Sequence, residues 1–198
     1  MNDIAHQLLH ADRLVPRSEL VGRSSIVPGA PGIYAWYFSQ SPSDEIHLDA
    51  CWQWQRKFLL YVGISPSKPP KSGSVPSKSN LRKRIRTHMA GNASASTLRL
   101  SLGCLLSRKL DIALRRVGQT ERLHFADDES ALSSWLEQHA FVTWVEHAEP
   151  WVVEREIVPS LYLPLNLDMN QHHPFHPTLS GARKQAREGA RSLEVWER

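Results

Sequence analysis

Two tyrosines, each close to a glycine, lie in short stretches of strand-forming residues, GIY at 32–34 and YVG at 61–63. Arg84 and His88 follow further along the chain, four residues apart. Side chains at this spacing share one face of a helix, so a guanidinium and an imidazole would project together. Hydroxyl, guanidinium and imidazole groups are the ones that move protons and hold negative charge in hydrolytic reactions.

A carboxylate completes this set. Glu154 lies on a later predicted helix, and Asn166 follows it at a distance of twelve residues. Hydrolysis of a phosphodiester needs a base for the attacking water, a fixed cation for the charge on the phosphoryl oxygens, and a divalent metal held by a carboxylate. Tyrosine, arginine, histidine and glutamate supply these roles together. The set therefore favours metal-assisted phosphodiester hydrolysis over the alternative that both tyrosines are only core aromatics of paired strands.

The positive charge of the chain is clustered. The formal net charge is only +4, but one stretch between residues 68 and 86 contains no acidic residue. Its basic residues are Lys68, Lys71, Lys78, Arg82, Lys83, Arg84 and Arg86. Such a run predicts a polyanionic partner, with DNA the first candidate. The alternative is a solvated loop and helix face that binds nothing.

The composition excludes several classes of protein. Two cysteines, Cys51 and Cys104, are too few for a disulfide framework, and they lack the spacing of zinc ligands. No stretch approaches the roughly 20 apolar residues that cross a membrane, and the first residues lack the apolar run of a signal peptide. We therefore expect a cytoplasmic protein with no membrane partner.

The remaining pattern predicts a mixed domain. Apolar and aromatic runs predict strands over 32–38, 58–64 and 141–145. Residues 65–79 are almost entirely Ser, Pro, Lys and Gly, which indicates a basic loop. Helices are predicted within 3–21 and over 81–90, 97–110, 131–139, 151–158 and 180–198, the one at 81 capped by Asn80 and the one at 151 opened by Pro150.

The two tyrosine motifs, followed by Arg84, His88, a lone Glu154 and Asn166, resemble the GIY-YIG nuclease superfamily. The resemblance covers about residues 30–170. It implies an α+β fold in which a small central antiparallel sheet of three strands is flanked by helices. It also implies one bound Mg²⁺ or Mn²⁺ ion. Homo-oligomerisation is left open.

The resemblance also implies roles for single residues. Tyr34 and Tyr61 would frame the attacking water, one of them as the base or as the group that orients it. Arg84 would stabilise the phosphate, His88 would support the base or contact the phosphate, and Glu154 would be the single metal ligand. Structural support would come from Gly32, Gly63 and Asn166. The rivals within the chain are Arg86 for the arginine and Glu146, Glu149 and Glu156 for the glutamate.

The chain departs from compact members of this superfamily in four places, the first of which is the longer gap between the two tyrosines, residues 35–60. The basic loop 65–79 lengthens the gap between the second motif and Arg84. This resembles the restriction-enzyme-like branch of the superfamily; the alternative is that the chain belongs to a stand-alone branch. A predicted helical insertion covers 97–139. Ile64 stands where a lysine often follows the second motif. We therefore divide the chain into a helical lead-in (1–27), a nuclease domain (28–170) and a helical tail (171–198).

The function expected from this pattern is metal-dependent DNA endonuclease activity, in restriction, defence or a mobile element by analogy. One alternative is a catalytically silent nucleic-acid-binding module that keeps the fold. Another is a partner-binding scaffold that uses the tryptophan-rich segment 52–54 and the helices of the insertion.

Overall fold

The structure is a computed structural model that describes residues 3–20, 26–69 and 77–197. Lys71 and the middle of the basic loop therefore lie outside the described residues. The strands are β1 (Val15–Pro16), β2 (Gly32–Phe38), β3 (Gln53–Trp54), β4 (Lys57–Ser65), β5 (Arg115–Val117), β6 (Arg122–His124) and β7 (Ala140–Glu146). The helices are α1 (Asp3–Leu9), α2 (Arg17–Leu20), α3 (Leu81–Ala90), α4 (Thr97–Leu110), α5 (Glu129–His139), α6 (Pro150–Ile157) and α7 (His176–Ser192).

The main sheet has five strands in the order β1-β7-β2-β4-β3, and each neighbouring pair is antiparallel. The predicted number of three strands was wrong, since the sheet has five. The three predicted strands form the centre of the sheet, but the two-residue strands β1 and β3 extend its edges. Strands this short show no alternation in the sequence. They form because the long strands leave backbone groups unpaired at their outer edges.

The predicted helical insertion over 97–139 also contains a hairpin. Its two helices are α4 and α5, and β5 and β6 between them pair as a separate two-stranded sheet. The tail helix begins four residues before its predicted start, at His176. The predicted N-terminal helix is divided, since α1 ends at Leu9 and β1 precedes α2.

Strand β2 is buried along its whole length, which explains why GIYAWYF shows no polar alternation. Tyr34, Trp36 and Phe38 face a core formed with helices α3, α4, α5 and α7. The alternate residues, among them Ile33 and Tyr37, face a second core formed with α1 and α6. Successive strand residues point to opposite faces, so a strand covered on both sides is apolar throughout. The sheet is therefore the middle of three layers.

Helix α3, which carries Arg84 and His88, starts at a side-chain cap as predicted. The Oδ1 atom of Asn80 accepts the backbone N–H of Lys83 at 3.0 Å. Helix α4 begins in the same way, because Ser96 Oγ accepts the N–H of Arg99 at 3.1 Å. These caps satisfy N–H groups that a first helical turn leaves without partners. The two helix starts are thereby set locally by single residues.

A buried ion pair holds the helices of the first core together. The side chain of Arg99 is fully buried, and its Nη2 atom lies 2.6 Å from a carboxylate oxygen of Glu129. Arg99 also donates to the carbonyl oxygens of His88 and Met89 at the end of α3, each at 3.4 Å. Glu129 in turn accepts the N–H of Ala93 at 2.7 Å. One ion pair thus connects α3, α4 and α5.

The two indoles of the tryptophan-rich segment are engaged within the chain. Trp52 Nε1 donates to the carbonyl of Leu9 at 2.9 Å, and Trp54 Nε1 donates to that of Ala11 at 2.8 Å. These hydrogen bonds join the N-terminal segment to the edge of the sheet at β3.

We expect Arg99→Ala to lower the free energy of unfolding by about 3–5 kcal/mol, because it leaves the Glu129 carboxylate buried without its cation. Denaturant unfolding followed by circular dichroism measures this change. The matched control is Arg13→Ala, which removes an exposed pair with Glu19 and should cost less than about 1 kcal/mol. Equal costs for the two substitutions would show that the buried pair has no special role.

Candidate functional site

The ring of Tyr34, on β2, lies over the neighbouring strand β4, because the residue opposite Tyr34 on β4 is a glycine. Gly63 faces Tyr34 in the register of the two strands. A Cβ atom on Gly63 would lie 2.5 Å from Tyr34 Oη and 3.0 Å from Tyr61 Cε1. The second glycine, Gly32, is equally confined, since a Cβ atom there would overlap the carbonyl oxygen of Val145. The two motif glycines therefore leave room for a tyrosine ring and for a neighbouring strand.

The Tyr34 hydroxyl is the centre of a buried hydrogen-bond network. It lies 2.8 Å from Nε2 of His88, and Nδ1 of His88 lies 2.7 Å from Ser96 Oγ. Arg84 Nε donates to the same hydroxyl at 3.4 Å. Arg84 and His88 share one face of α3, as their i, i+4 spacing predicts, and both side chains reach Tyr34. Ser96 is an additional member that the sequence did not single out, although it precedes a predicted helix.

Burial keeps His88 neutral. It lowers the pKa of the imidazole well below its usual range, and the positive charges of Arg84 and Arg99 lower it further. A neutral imidazole has one N–H and one lone pair, so His88 donates to one of its two hydroxyl partners and accepts from the other. The histidine therefore orients both Tyr34 and Ser96 without carrying a charge at neutral pH.

Tyr61 faces the same side of the sheet as Tyr34, because it lies two residues before Gly63, the partner of Tyr34. A β-bulge lies just beyond it, where the register passes from Trp36–Tyr61 to Tyr37–Leu59 and leaves Leu60 as an extra residue on β4. The ring centroids of Tyr34 and Tyr61 are 6.4 Å apart. Burial raises the pKa of each phenol, and the positive charge of Arg84 opposes that rise in both. Arg84 is therefore the group that favours negative charge on either tyrosine.

The structure distinguishes Arg84 from the other basic residues of its helix. Arg84 is half-buried against Tyr34, whereas Arg82, Lys83 and Arg86 are exposed. Lys68 and Lys78, in the described parts of the basic loop, are exposed as well.

A cavity of about 270 Å³ opens beside this cluster. Of the predicted catalytic residues, Tyr61 and Glu154 line it, and Tyr34, Arg84 and His88 connect to it through Tyr61. Glu154 reaches the cavity from α6, which packs against β4. The rival glutamates Glu146, Glu149 and Glu156 are exposed. The structure therefore brings the two tyrosines, the arginine, the histidine and Glu154 into one region.

Glu154 is the residue best suited to hold a metal ion. Burial, and then the negative charge of Asp168, raise its pKa from 4.5 to about 7. Among the described residues no Lys, Arg or His forms an ion pair with Glu154, and no group of three or more His, Cys, Asp or Glu forms a metal cage. Mg²⁺ is commonly held by one or two carboxylates and several waters. A half-buried carboxylate beside a second one therefore fits such an ion.

Asn166 fastens the strand that carries Tyr61. Its Oδ1 accepts the N–H of Val62 at 2.9 Å, and its Nδ2 donates to the carbonyl of Val62 at 2.8 Å. The N–H of Leu165 donates to the carbonyl of Leu60 at 3.0 Å. These bonds satisfy backbone groups on the edge of β4 that faces away from β2, along the part of that edge with which β3 does not pair. The predicted supporting asparagine thus pairs with the backbone of the second motif.

Three further cavity residues are charged, and the sequence pattern predicted no role for them. Asp168 follows Asn166, while Arg183 and Arg187 come from the tail helix α7. The tail showed only mixed charge in the sequence, and nothing in its pattern indicated which charges would face the cavity. Their place depends on the packing of α7 against α4.

Comparison with known families gives one match. The family model of the GIY-YIG catalytic domain matches residues 32–185, which is more than half of the chain. Searches of the curated proteins and of the solved structures returned no match. The family match supports endonuclease chemistry at the level of the family. Separately, within the described ranges no helix has both the length and the apolar character needed to cross a membrane.

We expect Gly63→Ala to lower the free energy of unfolding by about 1–3 kcal/mol, because the new methyl group must displace Tyr34 or Tyr61. Gly29→Ala is the control, since a Cβ atom at Gly29 meets nothing within 4 Å. It should change stability by about 0.5 kcal/mol or less. Thermal and denaturant unfolding compare the two. An alanine at residue 63 that is tolerated as well as one at residue 29 would contradict the close packing of the tyrosines.

The raised pKa of Glu154 predicts a pH dependence of stability in metal-free buffer. Between 4.5 and about 7 the folded chain keeps a proton that the unfolded chain has released. The free energy of unfolding should therefore fall as pH rises through this interval, and Glu154→Gln should lack this part of the fall. Denaturant midpoints at several pH values measure it. Glu156→Gln, on the exposed side of α6, serves as control. If the free energy of unfolding of Glu154→Gln falls with pH as steeply as that of wild type, the raised pKa of Glu154 is contradicted.

Proposed function

Because the chain belongs to the GIY-YIG catalytic-domain family, we propose that it is a divalent-metal-dependent endonuclease that hydrolyses phosphodiester bonds in DNA. The observation that carries this proposal is the joint position of Tyr61 and Glu154 on one cavity, with Tyr34, His88 and Arg84 connected through Tyr61. Each residue type that the reaction needs is present there. In this proposal the site makes one cut, so cleavage of both strands requires two copies or two encounters.

Glu154 would hold the metal, Mg²⁺ or Mn²⁺, with Asp168 adding negative charge close by. When bound, the ion lowers the pKa of a coordinated water and neutralises charge on the phosphoryl oxygens. A metal ion also favours the ionised form of Glu154, which burial alone disfavours. The protein contributes the fixed carboxylate and the shape of the cavity.

The tyrosines and their partners would handle the proton and the charge. Tyr61 lines the cavity and positions the attacking water, while Tyr34 next to it takes part in proton removal. His88 fixes the direction of the Tyr34 hydroxyl because its other nitrogen is held by Ser96. Arg84 is the fixed cation of the cluster, and it favours negative charge on the phenol oxygens and on the phosphoryl group.

The exposed basic residues would attract the DNA. Lys68, Lys78, Lys83 and Arg86 are exposed, as is Arg82, whose Nε also donates to the carbonyl of Val27. Lys71 belongs to the same stretch of sequence. Contacts of lysine and arginine with phosphates supply affinity that falls with salt and carries no base specificity. The biological setting that we propose by analogy is restriction, defence or a mobile element in the cytoplasm.

The test of this function is plasmid cleavage with Mg²⁺ or Mn²⁺, with and without EDTA. Glu154→Ala and Arg84→Ala should each lower the cleavage rate on the order of 100-fold or more, because each removes a charge that acts on the transition state. EDTA should abolish cleavage. The matched controls are Glu156→Ala on the same helix as Glu154 and Arg122→Ala on the β5–β6 hairpin, and both should cut within about twofold of wild type.

A catalytically silent binding module is the alternative outcome of this experiment. Ile64, at the position where the superfamily often has a lysine, is the feature that favours it. Salt-dependent DNA binding without cleavage of plasmid, single-stranded or branched DNA would support that module and overturn the endonuclease. Cleavage that persists in Glu154→Ala would reject Glu154 as the metal ligand.

A further inference from the structure

Two arginines of the tail helix line the same cavity as Glu154 and Tyr61. Arg183 and Arg187 are four residues apart on α7, so both side chains leave the helix on one face. Both are half-buried, whereas Lys184 between them is exposed. The cavity therefore receives positive charge from an element that carries none of the family motifs.

These arginines have no ion-pair partner in the described part of the chain. Each ion pair found there within 4.0 Å involves other residues, and Lys184 is in one of them, with Glu188 at 4.0 Å. The Nε–H of Arg183 is buried and lacks a hydrogen-bond acceptor. Buried donors in folded proteins are normally paired, and Arg183 lines the cavity, so an acceptor bound there would satisfy this N–H.

The surroundings of Arg183 disfavour its positive charge. Burial lowers the pKa of Arg183, and the positive charge of Arg187 lowers it further, although Asp168 and Tyr61 offset part of this effect. The positive charge of Arg183 is thus held at a cost. A bound anion at the two arginines would offset it.

We infer that Arg183 and Arg187 form a phosphate-binding site that holds the backbone of the nucleic-acid strand inside the cavity. A guanidinium presents a planar fork of donors that matches the oxygens of a phosphate, and a phosphate oxygen would accept the unpaired Nε–H of Arg183. The inference rests on the proposed nuclease function, because it places the substrate strand beside Glu154. It assigns α7 a direct part in substrate binding.

The test measures DNA binding without divalent metal, so that nothing is cut. The dissociation constant of a labelled duplex is determined at several salt concentrations for wild type, for the double variant Arg183→Gln/Arg187→Gln, and for Lys184→Gln. The double variant should bind about tenfold or more weakly near 0.1 M salt, and the slope of log K against log salt should fall by about 1–2. Lys184→Gln, an exposed charge on the same helix, should change binding less than about twofold.

Two further measurements separate binding from folding. Melting curves of the three proteins report whether the double variant is folded. Arg183→Lys keeps the charge and loses the planar fork, so it should retain the salt slope while its affinity falls between those of wild type and the double variant. If the double variant is unfolded, the affinities and salt slopes of Arg183→Lys and of the single variant Arg187→Gln test the phosphate site instead.

The outcomes distinguish this site from the nuclease itself. An unchanged affinity and salt slope in the arginine variants, or an equal loss in Lys184→Gln, would overturn the phosphate site even if wild type cuts DNA. A wild type without salt-dependent binding would overturn it too. Arginine-dependent binding by a wild type that cuts nothing with any metal would support the phosphate site and reject the endonuclease.

Discussion

Strand β2 has both of its faces covered, and the position of the site follows from that burial. Tyr34 is on β2, so its hydroxyl is enclosed with the apolar side chains of the first core. A buried hydroxyl needs partners, and here they are His88 and Arg84. Helix α3 must therefore present polar groups toward the sheet in the middle of an otherwise apolar packing surface. The cluster that we propose as catalytic is therefore a polar part of the first core.

A buried polar cluster keeps a single arrangement only when the elements that carry it are fixed. The Arg99–Glu129 pair supplies this constraint, because Arg99 binds the last carbonyl groups of α3 and lies on α4 three residues after Ser96. Ser96 is at once the cap of α4 and the partner of His88. The end of α3 and the start of α4 are thereby both connected to His88. A change in the packing of these helices would therefore change the hydrogen bonds of Tyr34.

The cavity shows the opposite condition, in which charges lack partners. Burial and the charge of Asp168 disfavour the ionised form of Glu154, and burial and the charge of Arg187 disfavour the charged form of Arg183. In a packed core such groups would be paired or replaced. Beside a cavity they fit a site that is completed by a metal ion and a phosphate, which is the combination that phosphodiester hydrolysis brings together.

Residue type and spacing over a few positions were enough to predict the local features: three central strands, the capped start of α3, and the i, i+4 pair Arg84 and His88. Nothing in the sequence pattern indicated the edge strands β1 and β3 or the charges that α7 brings to the cavity, because both depend on contacts between distant segments. A two-residue strand has too few residues to show a period, and it forms because a longer strand exposes unpaired backbone groups. In the sequence Arg183 cannot be told from the other basic residues of the tail; it reaches the cavity only because α7 packs against α4.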